Sequence, residues 1–353
     1  MMRVFNTTGS CNPEFHYMVN IEKKLAQIKL LIDRGAYFTM NRARQYCKTT
    51  TIEALRMYLE DDYVVLSLDF QALGNAEFRN EIIFSKAFVR YLTDVIRDEE
   101  IPVYGFDHDV LDEMISDAEN KEEFTLNVLF SHLAKMCRTA AKPIVMIIDE
   151  VDSATNNQVF LDFLAQLRLA YLNRTRKKTF QSVIFAGVHD VKNIKCKIRS
   201  EEEYKVNSPW NIATDFKVDM SFSIDDIEGM LNEYEMDYHT GMDLSEIAGL
   251  IYDYTSGYPF LVSRICKLLD ERITGTKGFP AKADAWTESG LIEAVKILMN
   301  ESNSLFESLT GKFTNIPELK ETIICSQTKF YTAKCMMLDW MKNHSILKMD
   351  ALT

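Results

Sequence analysis

Apolar residues recur along this chain with two different periods, and the changes of period mark its elements. Ile21, Leu25, Ile28 and Ile32 share one helical face, and Gly35 follows as a C-terminal cap. The next stretch, "AYFTM", reads as a short strand. Ile52, Leu55 and Leu59 then mark a second helix. Three runs are almost continuously apolar: "YVVLSLDF" (Tyr63 to Phe70), "PIVMIIDE" (Pro143 to Glu150) and "SVIFAGV" (Ser182 to Val188). Runs of that kind suit parallel strands buried on both faces. "FKVDMSF" (Phe216 to Phe222) alternates and predicts a further strand.

Between the strands lie helical spacings at Phe78, Ile82, Val89, Leu92 and Ile96, at Leu126, Leu129, Leu133 and Met136, and at Phe160, Phe163, Leu167 and Tyr171. Strands alternating with helices predict an α/β fold in which helices sandwich a parallel sheet. From about Ser223 the strand signals fade. Helices are marked by Leu244, Ile247, Ile251 and Tyr254, by Leu261, Ile265 and Leu268, and by Leu291, Val295 and Leu298. The stretch "TGTKGFPAKADAWTE" reads as a turn-rich linker. The expected division is an α/β domain over residues 1–222, a helical domain over 223–310 and a C-terminal segment over 311–353, the last with weak periodicity.

Composition narrows the functions. With 353 residues the chain is long enough for an enzyme, and its net charge of −12 disfavours a general nucleic-acid binder, which needs a basic surface. Seven cysteines without C-x-x-C spacing argue against a disulfide framework or a zinc site and suit a reducing, cytoplasmic setting. The start lacks the apolar core of a signal peptide, and "PIVMII" falls far short of a membrane span.

The stretch "NRARQYCKTTT" (Asn41 to Thr51) changes the picture, because it follows a strand, precedes a helix and approximates the phosphate loop G-x-x-x-x-G-K-S/T. Lys48 and Thr49 occupy the lysine and hydroxyl positions. Arg42 and Cys47 stand where the two glycines belong. Backbone N–H groups of such a loop converge on phosphate at a helix N-terminus, so Arg44, Gln45, Tyr46, Cys47, Lys48, Thr49 and Thr50 are the expected nucleotide contacts. The acidic partner of such a loop ends a buried strand, as in "MIIDE". There Asp149, with Thr49, would hold magnesium, and Glu150 would polarise the attacking water. Taken singly, these residues have ordinary explanations: a solvated strand end for Asp149 and Glu150, a helix start for Lys48, a cap for Thr49.

The loop, "FNTTGSCNPEFHYMVN", "MIIDEVDSA", "FAGVHDVKNIK", "NSPWNIATDFKVDMSF" and "TSGYPFLVSRICKLLDE" together resemble the bacterial AAA-like P-loop ATPases, relatives of the STAND-type signalling ATPases, over most of the chain. In that family the loop reads N-R-A-R-Q-Y-G-K-T-T-T. Arg42 therefore follows the family and Cys47 departs from it. The resemblance implies a P-loop NTPase fold of the ASCE type, ATP and Mg2+ as ligands, the Asp-Glu strand next to the loop strand, and a helical lid. It also implies a polar sensor after "VIFAGV", with His189 or Asp190 as candidates, and a lid element "GYPFLVSR" in which Gly257 and Pro259 set a turn and Arg264 faces the nucleotide. A lone loop histidine and a proline at a helix start are equally ordinary structural features. The segment after "IPELKETI" fails to continue the family pattern, and a truncated or altered end is the expectation there.

Cys47 should weaken the loop, since a side chain at that bend meets backbone strain and crowds phosphate. A thiol beside Lys48 and Arg44 at a helix N-terminus is alternatively a candidate redox switch. The leading functional reading is an ATPase that couples nucleotide state to lid movement. Its rival is a non-catalytic, nucleotide-dependent scaffold. Either leaves a protein partner and a homo-oligomer open.

Overall fold

The computed structural model describes residues 2–41, 46–98, 107–187 and 210–301. The chain folds as two compact units. The sheet unit takes in Glu22–Ala43 and Thr51–Val218, and the helical unit takes in Met1–Ile21, Arg44–Thr50 and Asp219–Thr353.

The sheet unit opens with α1 (Glu22–Asp33), whose Leu25, Ile28 and Ile32 are buried. Gly35, at φ +68°, ends it: the Gly35 N–H donates to Ile32 O and the Ala36 N–H to Leu31 O. These two bonds satisfy carbonyls that the helix end would otherwise leave open. The chain then alternates through β1 (Phe38–Asn41), α2 (Lys48–Leu59), β2 (Val64–Asp69), α3 (Glu81–Asp98), α4 (His108–Asn120), α5 (Leu126–Thr139), β3 (Ile144–Asp149), α6 (Gln158–Leu172) and β4 (Ser182–Gly187). All pairings are parallel, in the order β1-β4-β3-β2.

That order corrects one expectation: β3, which carries the Asp-Glu pair, is not beside the loop strand β1, because β4 lies between them. The reason is burial. Every residue of β3 and β4 is buried, whereas β1 and β2 each end on a more exposed polar residue, Asn41 and Asp69. The two strands with no wettable position take the centre. Around them, Phe70, Phe84, Phe88, Phe160 and Phe163 form a ring cluster, with Phe88 and Phe163 centroids 5.4 Å apart. Truncating a buried ring of this kind to alanine costs about 3–5 kcal/mol.

The strand expected over Phe216 to Phe222 is absent. Thr214 makes one isolated bridge to Phe38, its N–H donating to Tyr37 O at 2.7 Å, and the following residues join no ladder. Val218, Met220 and Phe222 are nevertheless buried while Lys217 and Asp219 are exposed. The period of two therefore reports extended backbone and alternate burial, and pairing is a separate matter.

In the helical unit, α7 (Ile224–Tyr238), α8 (Leu244–Thr255), α9 (Pro259–Leu268), α10 (Lys282–Ala285) and α11 (Glu288–Asn300) surround a core that includes Ile227, Leu231, Ile251, Val262 and Leu291. Ser223 and Asp226 form a reciprocal capping box at α7, and Asp243 caps α8. The N-terminal segment is packed into the same core: Phe5 lies tilted and Tyr17 edge-on against Tyr234, and Arg3 pairs with Glu233 and Asp237. "TGTKGFPAKADAWTE" is no linker. Thr276 bridges Phe279, α10 follows, and buried Trp286 donates from Nε1 to the Tyr234 hydroxyl at 3.1 Å. The turn residues shape this segment and the tryptophan fixes it.

Among the described residues, no helix is long and apolar enough to cross a membrane. The segment over 311–353 lies outside the described residues.

Candidate functional site

The candidate residues fall into two sets, one in each unit. In the helical unit, Tyr46, Cys47, Lys48, Thr49 and Thr50 run in sequence through the turn before α2 and into its first residues. Arg44 and Gln45 lie outside the described residues. Cys47 has φ +54°, in the left-handed region, and α2 starts at the next residue, Lys48. The bend that calls for glycine is therefore present with cysteine in it. An L-residue there costs about 1–2 kcal/mol, because Cβ crowds the following carbonyl. Cys47 is half-buried and packs against the helical core.

The first N–H groups of any α-helix lack partners within the helix, and a helix start therefore favours an anion. Lys48 is buried at 8% exposure, whereas Thr49 is exposed. Thr50 is buried, and its Oγ1 accepts the N–H of Cys11 at 3.1 Å, tying the N-terminal segment to the loop. Burial pushes the Cys11 thiol up, with hydrogen bonds to Asn6 and Thr50 opposing. Tyr46 is held by Ser221, hydroxyl to hydroxyl at 2.6 Å, and by the edge of Tyr258 with centroids 4.7 Å apart. Burial, then the nearby Tyr46 hydroxyl and Cys47 thiol, push the Tyr258 phenol above its usual range.

Arg264 belongs to the same unit, on α9. Its guanidinium forms a two-pronged pair with Glu301, Nε to Oε2 at 2.9 Å and Nη2 to Oε1. Gly257, just before α9, has φ +70°, and its carbonyl accepts the Phe222 N–H at 2.8 Å. A Cβ at Gly257 would lie 1.9 Å from Phe222 O, so this turn closes around a residue without a side chain.

In the sheet unit, β3 delivers Asp149 and Glu150 at its C-terminal end. Asp149 is buried, and its Oδ1 accepts the Glu150 N–H at 2.8 Å. Glu150 turns the chain with φ +50°. A single helical turn, Val151–Ser153, follows, in which the Ser153 hydroxyl donates to Glu150 O at 3.0 Å. The strand geometry thus fixes the backbone of this acidic pair while bending it sharply off the sheet.

Two residues near the strand ends were not picked out from the sequence. Asp69 ends β2 in register with Asp149, its Oδ1 accepting the Gln71 N–H. Gly187 ends β4, and a Cβ there would meet Asp152 Oδ2 at 2.9 Å and Val151 Cγ2 at 3.1 Å. A glycine closing an otherwise apolar strand signals such close approach. Asp69 was visible only as the last polar letter of "VVLSLD". His189 and Asp190, the sensor candidates, lie outside the described residues.

The family model for the AAA-like domain matches residues 10–311. The chain belongs to the AAA-like domain family. Among solved structures, the AAA-like chain is similar to the Walker-type ATPase PABY2304 of Pyrococcus abyssi, with a TM-score of 0.55 and 10% identity over 96% of this chain and 92% of that one. That likeness identifies the fold as the one of a Walker-type ATPase. Lower scores link the chain to the ORC1 protein of Aeropyrum pernix in complex with DNA (TM-score 0.40, 10% identity, 93% and 84% covered) and to a RuvB mutant of Thermotoga maritima (0.34, 12%, 94% and 89%). No curated protein is similar to it in sequence.

Proposed function

We propose that this AAA-like protein binds ATP with Mg2+ through the turn at Lys48 and hydrolyses it with Glu150 as the base that polarises water. The observation that carries the reading is the left-handed bend at Cys47, which passes the chain straight into the N-terminus of α2. Such a bend aims successive backbone N–H groups at phosphate oxygens, and Lys48 adds a fixed positive charge. Arg44, Gln45, Tyr46, Thr49 and Thr50 complete the contacts in this reading, with His189 as the polar sensor. Arg264 would reach phosphate by giving up its pair with Glu301.

In this reading the donor chemistry of Thr49 and Asp149 suits a magnesium ion. Thr49 offers an exposed hydroxyl and Asp149 a carboxylate, hard oxygen donors of the kind Mg2+ takes beside phosphate and water. Bound there, the ion supplies neutralisation of phosphate charge. Helices after Ser223 act as the lid, and their position follows the nucleotide state. Isothermal titration of Mg-ATP into the full chain and into Lys48→Ala tests the reading. Binding is expected in the parent and not in the variant, and equal heats from both would refute it.

A second reading is favoured by the same residue that carries the first. Strain at Cys47 opposes a close fit of phosphate, and so supports a scaffold that senses nucleotide without turning it over. Phosphate release at saturating Mg-ATP separates the two, because the scaffold binds and shows no turnover above Glu150→Gln.

A further inference from the structure

A groove lies between α5 and α6 in the sheet unit, enclosing ~270 Å3. Its floor is apolar, made by Phe130, Leu133 and Ala134 of α5, Leu169 and Ala170 of α6, and Phe180. At one end Gln166 donates to Asn127 across the two helices at 2.9 Å. At the other stand Lys177 and Lys178.

Two features make this groove more than a surface depression. The first is on α6, which is apolar on both sides: Phe160, Phe163 and Leu167 face the core, yet Leu169 and Leu172 are 54% and 58% exposed. Standing three residues apart, these leucines share one helix face beside the groove. The second is charge. In a chain of net charge −12, "NRTRKK" gathers four cations in the loop after α6. Arg174 folds back over the Tyr171 ring at 3.7 Å. Arg176, Lys177 and Lys178 are exposed, and among the described residues no carboxylate pairs with them.

We propose that the α5–α6 groove docks an acidic amphipathic helix of a partner protein. Its apolar stripe would cover Phe130, Leu169 and Leu172, and its carboxylates would meet Arg176, Lys177 and Lys178. Helices recognised in grooves present apolar anchors at three- and four-residue spacing, and the exposed Leu169 and Leu172 offer an apolar row for such a stripe to cover. Complementary charge then speeds encounter and selects against basic helices. A small apolar acid would fill the cavity and leave Leu172 uncovered, since Leu172 is not among the lining residues. A second copy of this chain fits less well. Its acidic helices α4 and α7 already bury their apolar stripes, Val110, Leu111 and Met114 in one and Ile227, Met230 and Leu231 in the other.

The test uses the full chain and three fluorescein-labelled helical peptides, read by fluorescence anisotropy. One carries leucine at three- and four-residue spacing with glutamate elsewhere, one has lysine for glutamate, and one has the acidic composition with the leucine stripe scrambled. The acidic striped peptide is expected to bind at least about tenfold more tightly than either control, and more weakly as salt rises. Leu169→Ser and the double change Lys177→Glu, Lys178→Glu should each lower its affinity at least about tenfold with the circular dichroism and melting of the parent. Equal affinity for the three peptides, or full affinity in both variants, overturns the proposal. So does a concentration-dependent dimer, seen by sedimentation, that Leu169→Ser dissolves, because it gives the groove to a second copy. Binding of octanoate without binding of the acidic peptide overturns it too, in favour of a small acid. Nucleotide is left out throughout, so the outcome is independent of the ATPase reading.

Discussion

Among the turns of the helical unit that reach the left-handed region, the ones at Gly257 and Cys47 differ in the residue that occupies them. At Gly257, φ is +70° and a Cβ would lie 1.9 Å from Phe222 O. At Cys47, φ is +54°, and a side chain is accommodated half-buried against the core. The difference separates two reasons for glycine. Where both dihedral and space forbid a side chain, replacement breaks the packing; where only the dihedral objects, the chain absorbs about 1–2 kcal/mol and keeps its shape. His239, Ser256 and Glu150, each at φ +50°, are further non-glycine residues in that region, and at Glu150 the Asp149 Oδ1 braces the bend by accepting the Glu150 N–H.

The sharpest way to break the comparison is Gly257→Ala. It should destabilise the protein by about 3–4 kcal/mol, combining overpacking against a backbone carbonyl with left-handed strain. Urea denaturation measures it, and a loss below the strain alone would mean that the Phe222–Gly257 turn opens at little cost. Next in size is Lys48→Ala, which asks whether the bend at Cys47 delivers a binding position at all. Mg-ATP affinity should fall at least about a hundredfold, near 2.7 kcal/mol, in titration calorimetry.

At the other bend, Glu150→Gln keeps the side chain's shape and removes its basicity. Turnover should drop about a hundredfold with binding of Mg-ATP retained, as read by phosphate release and calorimetry together. Unchanged turnover would leave Glu150 a turn residue only. Smallest is Cys47→Gly, expected to tighten Mg-ATP by up to about tenfold while folding stability changes by less than about 1 kcal/mol, since glycine relieves strain but enlarges unfolded entropy. Cys47→Ala is its control: it keeps the Cβ and the strain, and should bind like the parent. Tightening by alanine as much as by glycine would trace the handicap to sulfur rather than to the backbone.

What could be read beforehand follows the same division between local and global causes. β2, β3 and β4 were legible because a strand buried on both faces must be apolar throughout, and α1 because its period and Gly35 agree. Sheet order was not legible. Nothing in "SVIFAGV" says that it inserts between the loop strand and the Asp-Glu strand; that follows from which strands can bear full burial. "FKVDMSF" misled because alternation marks alternate burial, and a strand also needs a neighbour with open hydrogen-bonding groups. "TGTKGFPAKADAWTE" misled because turn residues outweighed one tryptophan, whose burial with Tyr234 decides the segment. The places of Cys47 and Lys48 at a helix start and of Asp149 and Glu150 at a strand end were legible from motif spacing. Asp69 and Gly187 acquire meaning only through strand register.

The bond from the Cys11 N–H to Thr50 Oγ1 gives this protein a reporter of its own. A backbone amide held by a side-chain hydroxyl exchanges its hydrogen with solvent only when that hydroxyl lets go. Thr50 stands two residues beyond Lys48, so anything that rotates the first turn of α2 frees a single proton in a segment otherwise clamped by Phe5 and Tyr17. Deuterium uptake at the Cys11 amide therefore times the motion of the loop from inside the N-terminal segment, without a label and without touching the loop itself.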